Sequence, residues 1–237
     1  MSPSHGTVTY GNEAITFNVL FVERKTMEIA VHPDSRVVVK APAGIDFAVV
    51  RKRVARRAGW IKRQLDYFRQ FEPRTPGKSY IGGESHLYLG RQYRLKVSSG
   101  GPDEVRLVRG YFHVVTRGDA TPDKVKSLLE RWYAVKAAER FNESFARSWP
   151  HFAEISSTIP RLQIRRMKKR WGSLSRGGVL TLNTDLIRAP RECIDYVITH
   201  ELCHSRYHDH GPEFYRLLEK VMPDWEKRKH RLELALA

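Results

Sequence analysis

The sequence predicts an α+β fold. A β-rich N-terminal part with one long helix is followed by a core in which a histidine-bearing helix packs on a small sheet. Three observations carry this reading. Apolar and polar residues alternate in short runs over residues 7–41, and again near 88–97 and 105–115, the period of strands. Two long stretches, after Asp46 and after Thr121, place apolar residues at three- and four-residue steps, the period of helices. A third helical pattern ends in His200-Glu201-Leu202-Cys203-His204. The division is placed between a mixed α/β region, 1–118, and the core, 119–237.

The first strands include Ile29-Ala30-Val31 and Val37-Val38-Val39, joined by a turn at Pro33-Asp34-Ser35. Asp46 caps the long helix, whose stripe is Phe47, Val50, Val54, Ala58, Ile61, Leu65 and Phe68. Pro73, Pro76 and Gly77 mark 72–80 as a loop. Thr121-Pro122 reads as an N-cap and first-turn proline. The helix behind it turns Val125, Leu128, Leu129, Trp132, Val135, Phe141 and Phe145 to the core. Arg161–Arg166 and Val179–Asn183 read as strands, the second after the Gly177-Gly178 turn. The histidine helix starts after Pro190 with Ile194, Val197, Ile198 and Leu202 inward. A helix from Pro212 (Phe214, Leu217, Leu218, Val221 inward) and a last one around Trp225–Leu232 close the chain. No internal repeat or low-complexity tract is discernible.

His200 and His204 stand four apart, so one helix face presents both to a single ion. Glu201 sits one residue round, close enough to reach a water on that ion without being a ligand. A third imidazole, His210, arrives before Gly211-Pro212, where the chain turns and restarts. His208 competes for that place. On a straight helix, however, it would lie about 12 Å from His200, far beyond Zn–N bonds of about 2.0–2.1 Å. His208 and Asp209 therefore read as outer groups, Asp209 able to orient an imidazole or simply to form the turn. Three imidazoles with an open fourth position make a catalytic zinc site, Zn²⁺ on His200, His204 and His210 with Glu201 as general base, and so a zinc-dependent hydrolase. Tyr207, Arg206, Tyr215 and Arg170 are the candidates for stabilising an oxyanion.

The spacing is near the metzincin pattern, with Tyr207 where that pattern has glycine and only Met222-Pro223 as a faint Met-turn. A fuller likeness runs through Arg170-Trp171-Gly172-Ser173-Leu174-Ser175, Leu180-Thr181-Leu182-Asn183, Ile194 to His204, His208-Asp209-His210-Gly211-Pro212-Glu213-Phe214 and Met222-Pro223-Asp224-Trp225. These segments resemble the YgjP-like metallopeptidase family, related to the SprT-like and WLM zinc peptidases. The resemblance is strongest over 164–231 and extends back to about Arg24 through Gly83-Glu84-Ser85-His86-Leu87-Tyr88-Leu89-Gly90. Leu174 departs from it, since many relatives carry cysteine there. It implies a zincin-like core, the same three ligands and base, and a protein or peptide substrate. An edge strand above the metal would bind that substrate in extended form, and Val179–Asn183 is nominated for that role, an interior strand being the alternative.

Formal net charge is +16. Residues 1–116 hold 19 Lys/Arg against 10 Asp/Glu and residues 117–237 hold 23 against 16, so the excess is not confined to a tail. Clusters stand at Arg51-Lys52-Arg53 with Arg56-Arg57, Arg165-Arg166 with Lys168-Lys169-Arg170, and Lys227-Arg228-Lys229 with Arg231. Such a surface suits DNA or nucleotides. The related peptidases act on proteins crosslinked to DNA, which extends the expectation to DNA-associated proteins. Two alternatives stay open: a metal-dependent nucleoside-triphosphate (UTP) pyrophosphatase, which the resemblance also carries although no phosphate-binding glycine loop is present, and a DNA-binding protein with a structural metal. No apolar run is long enough for a membrane helix and no secretory signal opens the chain. Cys193 and Cys203, ten residues apart on one helix, cannot pair. A cytoplasmic location is expected.

Overall fold

The computed structural model describes residues 4–32, 34–69, 77–156, 158–168 and 170–236. The chain divides into two compact units, Met1–Thr75 and Pro76–Ala237.

In the first unit, β1 (Ser4–Tyr10) and β2 (Glu13–Val22) form one hairpin, β3 (Glu28–Val31) and β4 (Val37–Pro42) another. The parallel pair β2 and β4 joins them in the order β1-β2-β4-β3. Strand alternation buries Ile15, Phe17, Val19, Val37, Val39 and Ala41 together. Val50, Val54, Ala58, Ile61 and Leu65 pack into the same cluster. The expected single helix is two, α1 (Phe47–Arg56) and α2 (Ala58–Arg69). Asp46 does cap, accepting the Ala48 N–H at 2.8 Å. The break falls at Arg57, whose N–H reaches back only three residues to Val54 O (3.0 Å). Gly59 follows, a poor helix residue that admits Tyr10: a Cβ there would stand 2.9 Å from the phenol oxygen. The stripe survives because Ile61 N–H bonds Arg57 O (2.9 Å), so the helical phase resumes at once.

The second unit opens with the same topology. β5 (Ser85–Tyr88) and β6 (Arg91–Ser99) form a hairpin, β7 (Glu104–Val108) and β8 (Tyr111–Thr116) another, and β6 and β8 run parallel in the order β5-β6-β8-β7. A topological repeat is therefore present where the sequence suggests none. It needs only the period of two and the turns, not shared residues.

This sheet corrects the expected boundary at 118/119. Leu95, Phe112 and Val114 share one core with Val125, Leu128 and Leu129 of α3 (Pro122–Ser148). Phe112 meets the rings of Trp132 and Tyr133 at 5.0 and 5.8 Å. Of the expected 72–80 loop, 72–76 lies outside the described residues, and 77–80 is irregular. Thr121 caps α3 by accepting the Lys124 N–H. Val135, expected inside, is 54% exposed. It lies about 200° round the helix from Tyr133, which is buried instead.

A second, three-stranded sheet follows, β10-β11-β9, from β9 (Arg161–Arg165), β10 (Gly172–Leu174) and β11 (Val179–Asn183). Then come α4 (Arg191–Cys203), α5 (Pro212–Val221) and α6 (Trp225–Ala235). Buried Asn183 pins the loop before β10, accepting Met167 N–H (3.2 Å) and Asp185 N–H (3.1 Å) and donating to Met167 O (2.9 Å) and Arg170 O (3.1 Å). The β5–β6 turn fixes the start of α4. Leu89 and Gly90 both have positive φ, and their N–H groups bond Ile187 O and Arg188 O. A Cβ on Gly90 would stand 2.7 Å from Pro190 Cγ.

At the start of β5, Glu84 accepts the Ser79 and Tyr80 N–H groups at 2.8 Å each. Its Oε2 lies 2.9 Å from Nε2 of buried His86. Burial holds the His86 imidazole below its ordinary value of 6.5, against the pull of Glu84. Below that pH the unfolded chain binds the proton and the folded chain does not. The stability this residue contributes is therefore full above about pH 6.5 and lost as pH falls. His86→Gln should flatten the fall of Tm from about pH 6.5 to about 5 relative to wild type. Equal slopes in the two proteins would show that His86 titrates as it does in the unfolded chain.

Candidate metal centre

α4 carries His200 and His204 with ring centroids 5.3 Å apart. The helix ends at His204, which is its C-cap. The next amides turn tightly: Ser205 N–H bonds Leu202 O (3.0 Å), and Arg206 and Tyr207 N–H both bond Cys203 O (3.1 and 3.0 Å). That turn brings His210 back, its Nε2 3.0 Å from His200 Nε2. One ring nitrogen from each of His200, His204 and His210 lies within 4.8 Å of the others. Sequence geometry anticipates this grouping, and His208 stays out of it, exposed on the rim of the cleft.

The donor set suits a divalent metal. His204 Nδ1 lies 2.9 Å from Tyr207 O, so its N–H is spent on that carbonyl and Nε2 keeps its lone pair. Burial, helped by His210, His204 and Lys229 nearby, pushes the His200 pKa down to about 3. Burial lowers His210 too. Ring nitrogens that converge this closely are placed to share a cation.

Beneath them lies Phe214, wholly buried in the first turn of α5. Its ring centroid is 4.9 Å from that of His200, 4.8 Å from His204 and 4.7 Å from His210. Sequence periodicity points Phe214 inward but gives no hint that it supports the triad. Its position as the first large apolar residue after the Gly211-Pro212 restart is the only available signal.

Glu201, 9% exposed, faces β10. Its Oε2 accepts the Leu174 N–H at 3.1 Å. Burial raises its carboxyl to about 7, against the lowering by the Leu174 N–H and the Arg170 charge. Gly172 is where helix and strand meet: a Cβ there would stand 2.7 Å from Glu201 Cγ and 2.9 Å from its Oε1.

The nomination of Val179–Asn183 as edge strand is overturned. β11 is the central strand, nearly all buried, and β10 and β9 are the edges, β10 being the one that meets α4. The physical reason is pairing on both sides: β11 is parallel to β9 and antiparallel to β10. Trp171 O and Ser175 N–H bond to Asn183 and Val179, so the peptide groups of Gly172 and Leu174 point away from the sheet.

A cavity of about 500 Å³ spans β10, the triad and α6. Arg170 alone of the four oxyanion candidates lines it. Tyr215 instead stacks on Trp225 (5.4 Å). Tyr196, Lys229 and Glu233 also line the cavity. The sequence offers no motif for them, because α6 reaches the cleft only through the fold. Cys203 is buried with its thiol pushed up to about 12 by burial, which removes it as a nucleophile.

A family model for the YgjP-like, metallopeptidase domain matches residues 25–235. The chain belongs to this family. YgjP-like domains are metallopeptidases, so this is a metal-dependent hydrolase of the peptidase type. Solved structures similar to it include the metallopeptidase zymogen of Pyrococcus abyssi abylysin, 22% identical, covering 39% of this chain and 90% of that one with a TM-score of 0.35. Another is the metallopeptidase zymogen of Methanocaldococcus jannaschii jannalysin, 23% identical, covering 40% and 86% with a TM-score of 0.34. Among curated proteins none matches.

Two substitutions test this YgjP-like site. Phe214→Leu keeps an apolar side chain but removes the ring under the imidazoles. Metal affinity, measured by competition with a chelating dye, should drop about tenfold or more while the protein still melts cooperatively. Gly172→Ala displaces Glu201 and touches no imidazole. It should keep its metal on elemental analysis and lose about tenfold or more in hydrolysis. Wild-type values in either variant would remove the role assigned to that residue.

Proposed function

We propose that this YgjP-like protein is a zinc peptidase, with His200, His204 and His210 as ligands and Glu201 as general base. The observation that carries the reading is the convergence of three imidazoles beside a buried carboxyl on one wall of an open cleft. Imidazole donors suit Zn²⁺. When bound, the ion supplies a Lewis acid that acidifies water and polarises the scissile carbonyl.

The chain's own groups do the rest. Leu174 N–H holds Glu201 Oε2, leaving Oε1 to take the proton of the attacking water and hand it to the departing amine. Arg170, on the cleft wall, is the group assigned to the oxyanion. The outward peptide groups of Gly172 and the carbonyl of Leu174 pair with an extended substrate, so β10 takes the role first given to β11. Basic residues Arg165, Arg166 and Lys168 precede this strand and favour substrate proteins that lie on DNA. Among the described residues no helix is long and apolar enough to cross a membrane.

Protein purified without added metal should carry about one zinc per chain, with His204→Ala and His210→Ala both losing it. Glu201→Gln should keep the zinc and lose cleavage of unfolded-protein substrates by about a hundredfold or more. Metal retained in both histidine variants would refute the ligand set. Wild-type cleavage by Glu201→Gln would refute the base.

A further inference from the structure

A second cavity, of about 580 Å³, lies at the other end of α4, about ten residues or 15 Å along the helix from Glu201. Its size falls within the range of small-ligand sites. Three arginines far apart in sequence line it: Arg91 just after the β5–β6 turn, Arg191 at the start of α4, and Arg231 from α6. Among the described residues Glu192 is the one acid in its lining, and it is already engaged by Arg231 at 2.5 Å. Among the described residues neither Arg91 nor Arg191 has an ion pair within 4 Å; Glu143, the acid whose carboxyl feels the Arg191 charge, is itself paired with Arg140 at 2.8 Å.

The walls are fixed. Gly90 is wedged against Pro190, and the Leu89 and Gly90 amides are tied to Ile187 and Arg188 carbonyls. Arg91 and Arg191 each follow one of the two wedged residues, so their backbones keep a set separation. Pro190 caps α4 with no side-chain hydrogen bond, and the Arg191 and Glu192 amides, in the helix's first turn, have no partner within it. Tyr93 supplies a half-buried aromatic wall.

We infer that this cavity binds a phosphate-bearing anion, held by the guanidinium groups of Arg91 and Arg191 and by the first amides of α4. Planar guanidinium forks match phosphate oxygens in pairs, and the competing carboxylates Glu192 and Glu143 are each paired with another arginine. Phosphate of this kind comes from a small phosphorylated molecule or from a nucleic-acid backbone. The site lies apart from the metal centre and does not rest on the peptidase reading.

The test is isothermal titration of the metal-loaded full chain with inorganic pyrophosphate, a nucleoside triphosphate and a short oligonucleotide, at two salt concentrations. Pyrophosphate should bind wild type and bind Arg191→Glu and Arg91→Glu about tenfold or more weakly, with zinc content unchanged in both. Arg191→Lys, which keeps the charge, should bind between the two. Tighter binding of the triphosphate than of the oligonucleotide assigns the site to a small molecule. The reverse order with a steep salt dependence assigns it to nucleic acid. No binding of any probe to wild type, or undiminished binding by both glutamate variants, overturns the inference. Should one glutamate variant fail to melt cooperatively, the other decides.

Discussion

Three imidazoles rest on one buried phenyl ring, and much of the second unit is arranged around that contact. Phe214 lies nearly equidistant from His200, His204 and His210. To reach all three, the chain must end α4 at His204, turn within a few residues, return His210 and restart a helix at once. Each step has a local cause. The Ser205, Arg206 and Tyr207 amides close the turn, His204 is held by Tyr207 O, and Pro212 opens α5 where its missing N–H costs nothing. The buried ring closes the apolar side of all three imidazoles. A rigid apolar floor holds imidazoles in place without competing for their lone pairs.

Such a floor works only if α4 itself is immobile, and three contacts spread along it achieve this. Its start is wedged by Gly90 against Pro190. Its middle is tied to α3, where Asp195 accepts hydrogen bonds from Ser144 and from Arg147 (2.7 Å). Its catalytic end meets β10 at Gly172, with the Leu174 N–H on Glu201. The repeated four-stranded topology has a place in this design. The β5–β8 sheet supplies the face on which α3 lies and the turn that holds Pro190, so its packing belongs to the unit that carries the histidine cluster.

What was legible in the sequence follows from the range of each interaction. The histidine cluster was readable because His200 and His204 share a helix face and His210 sits beside a Gly-Pro break, all within eleven residues. Helices and strands were readable from periodicity, except where a close approach intervened, as at Arg57 before Gly59. Strand order was not readable: β11 looks like any short apolar strand, and its central place depends on β9 and β10 pairing to either side. The unit boundary was missed because nothing in the alternation of residues 85–116 says which helix covers that sheet. Tyr196, Lys229 and Phe214 were missed as site residues because their roles come from the packing of α4, α5 and α6.

The electrostatics of the cleft argue that its geometry is set for a cation. Without one, burial keeps His200 neutral and raises Glu201 to about 7, so burial disfavours charge on both. A divalent ion reverses the preference at Glu201, because a nearby positive charge stabilises the carboxylate, and it uses the neutral imidazoles as they stand. The nearby charges of Lys229 and Arg170 act in the same sense: the first disfavours protonation of His200 and the second lowers Glu201. In a chain of net charge +16 these two cations are therefore more than surplus surface charge. Lys229 holds protons off His200 and His210, and Arg170 holds Glu201 toward its carboxylate form.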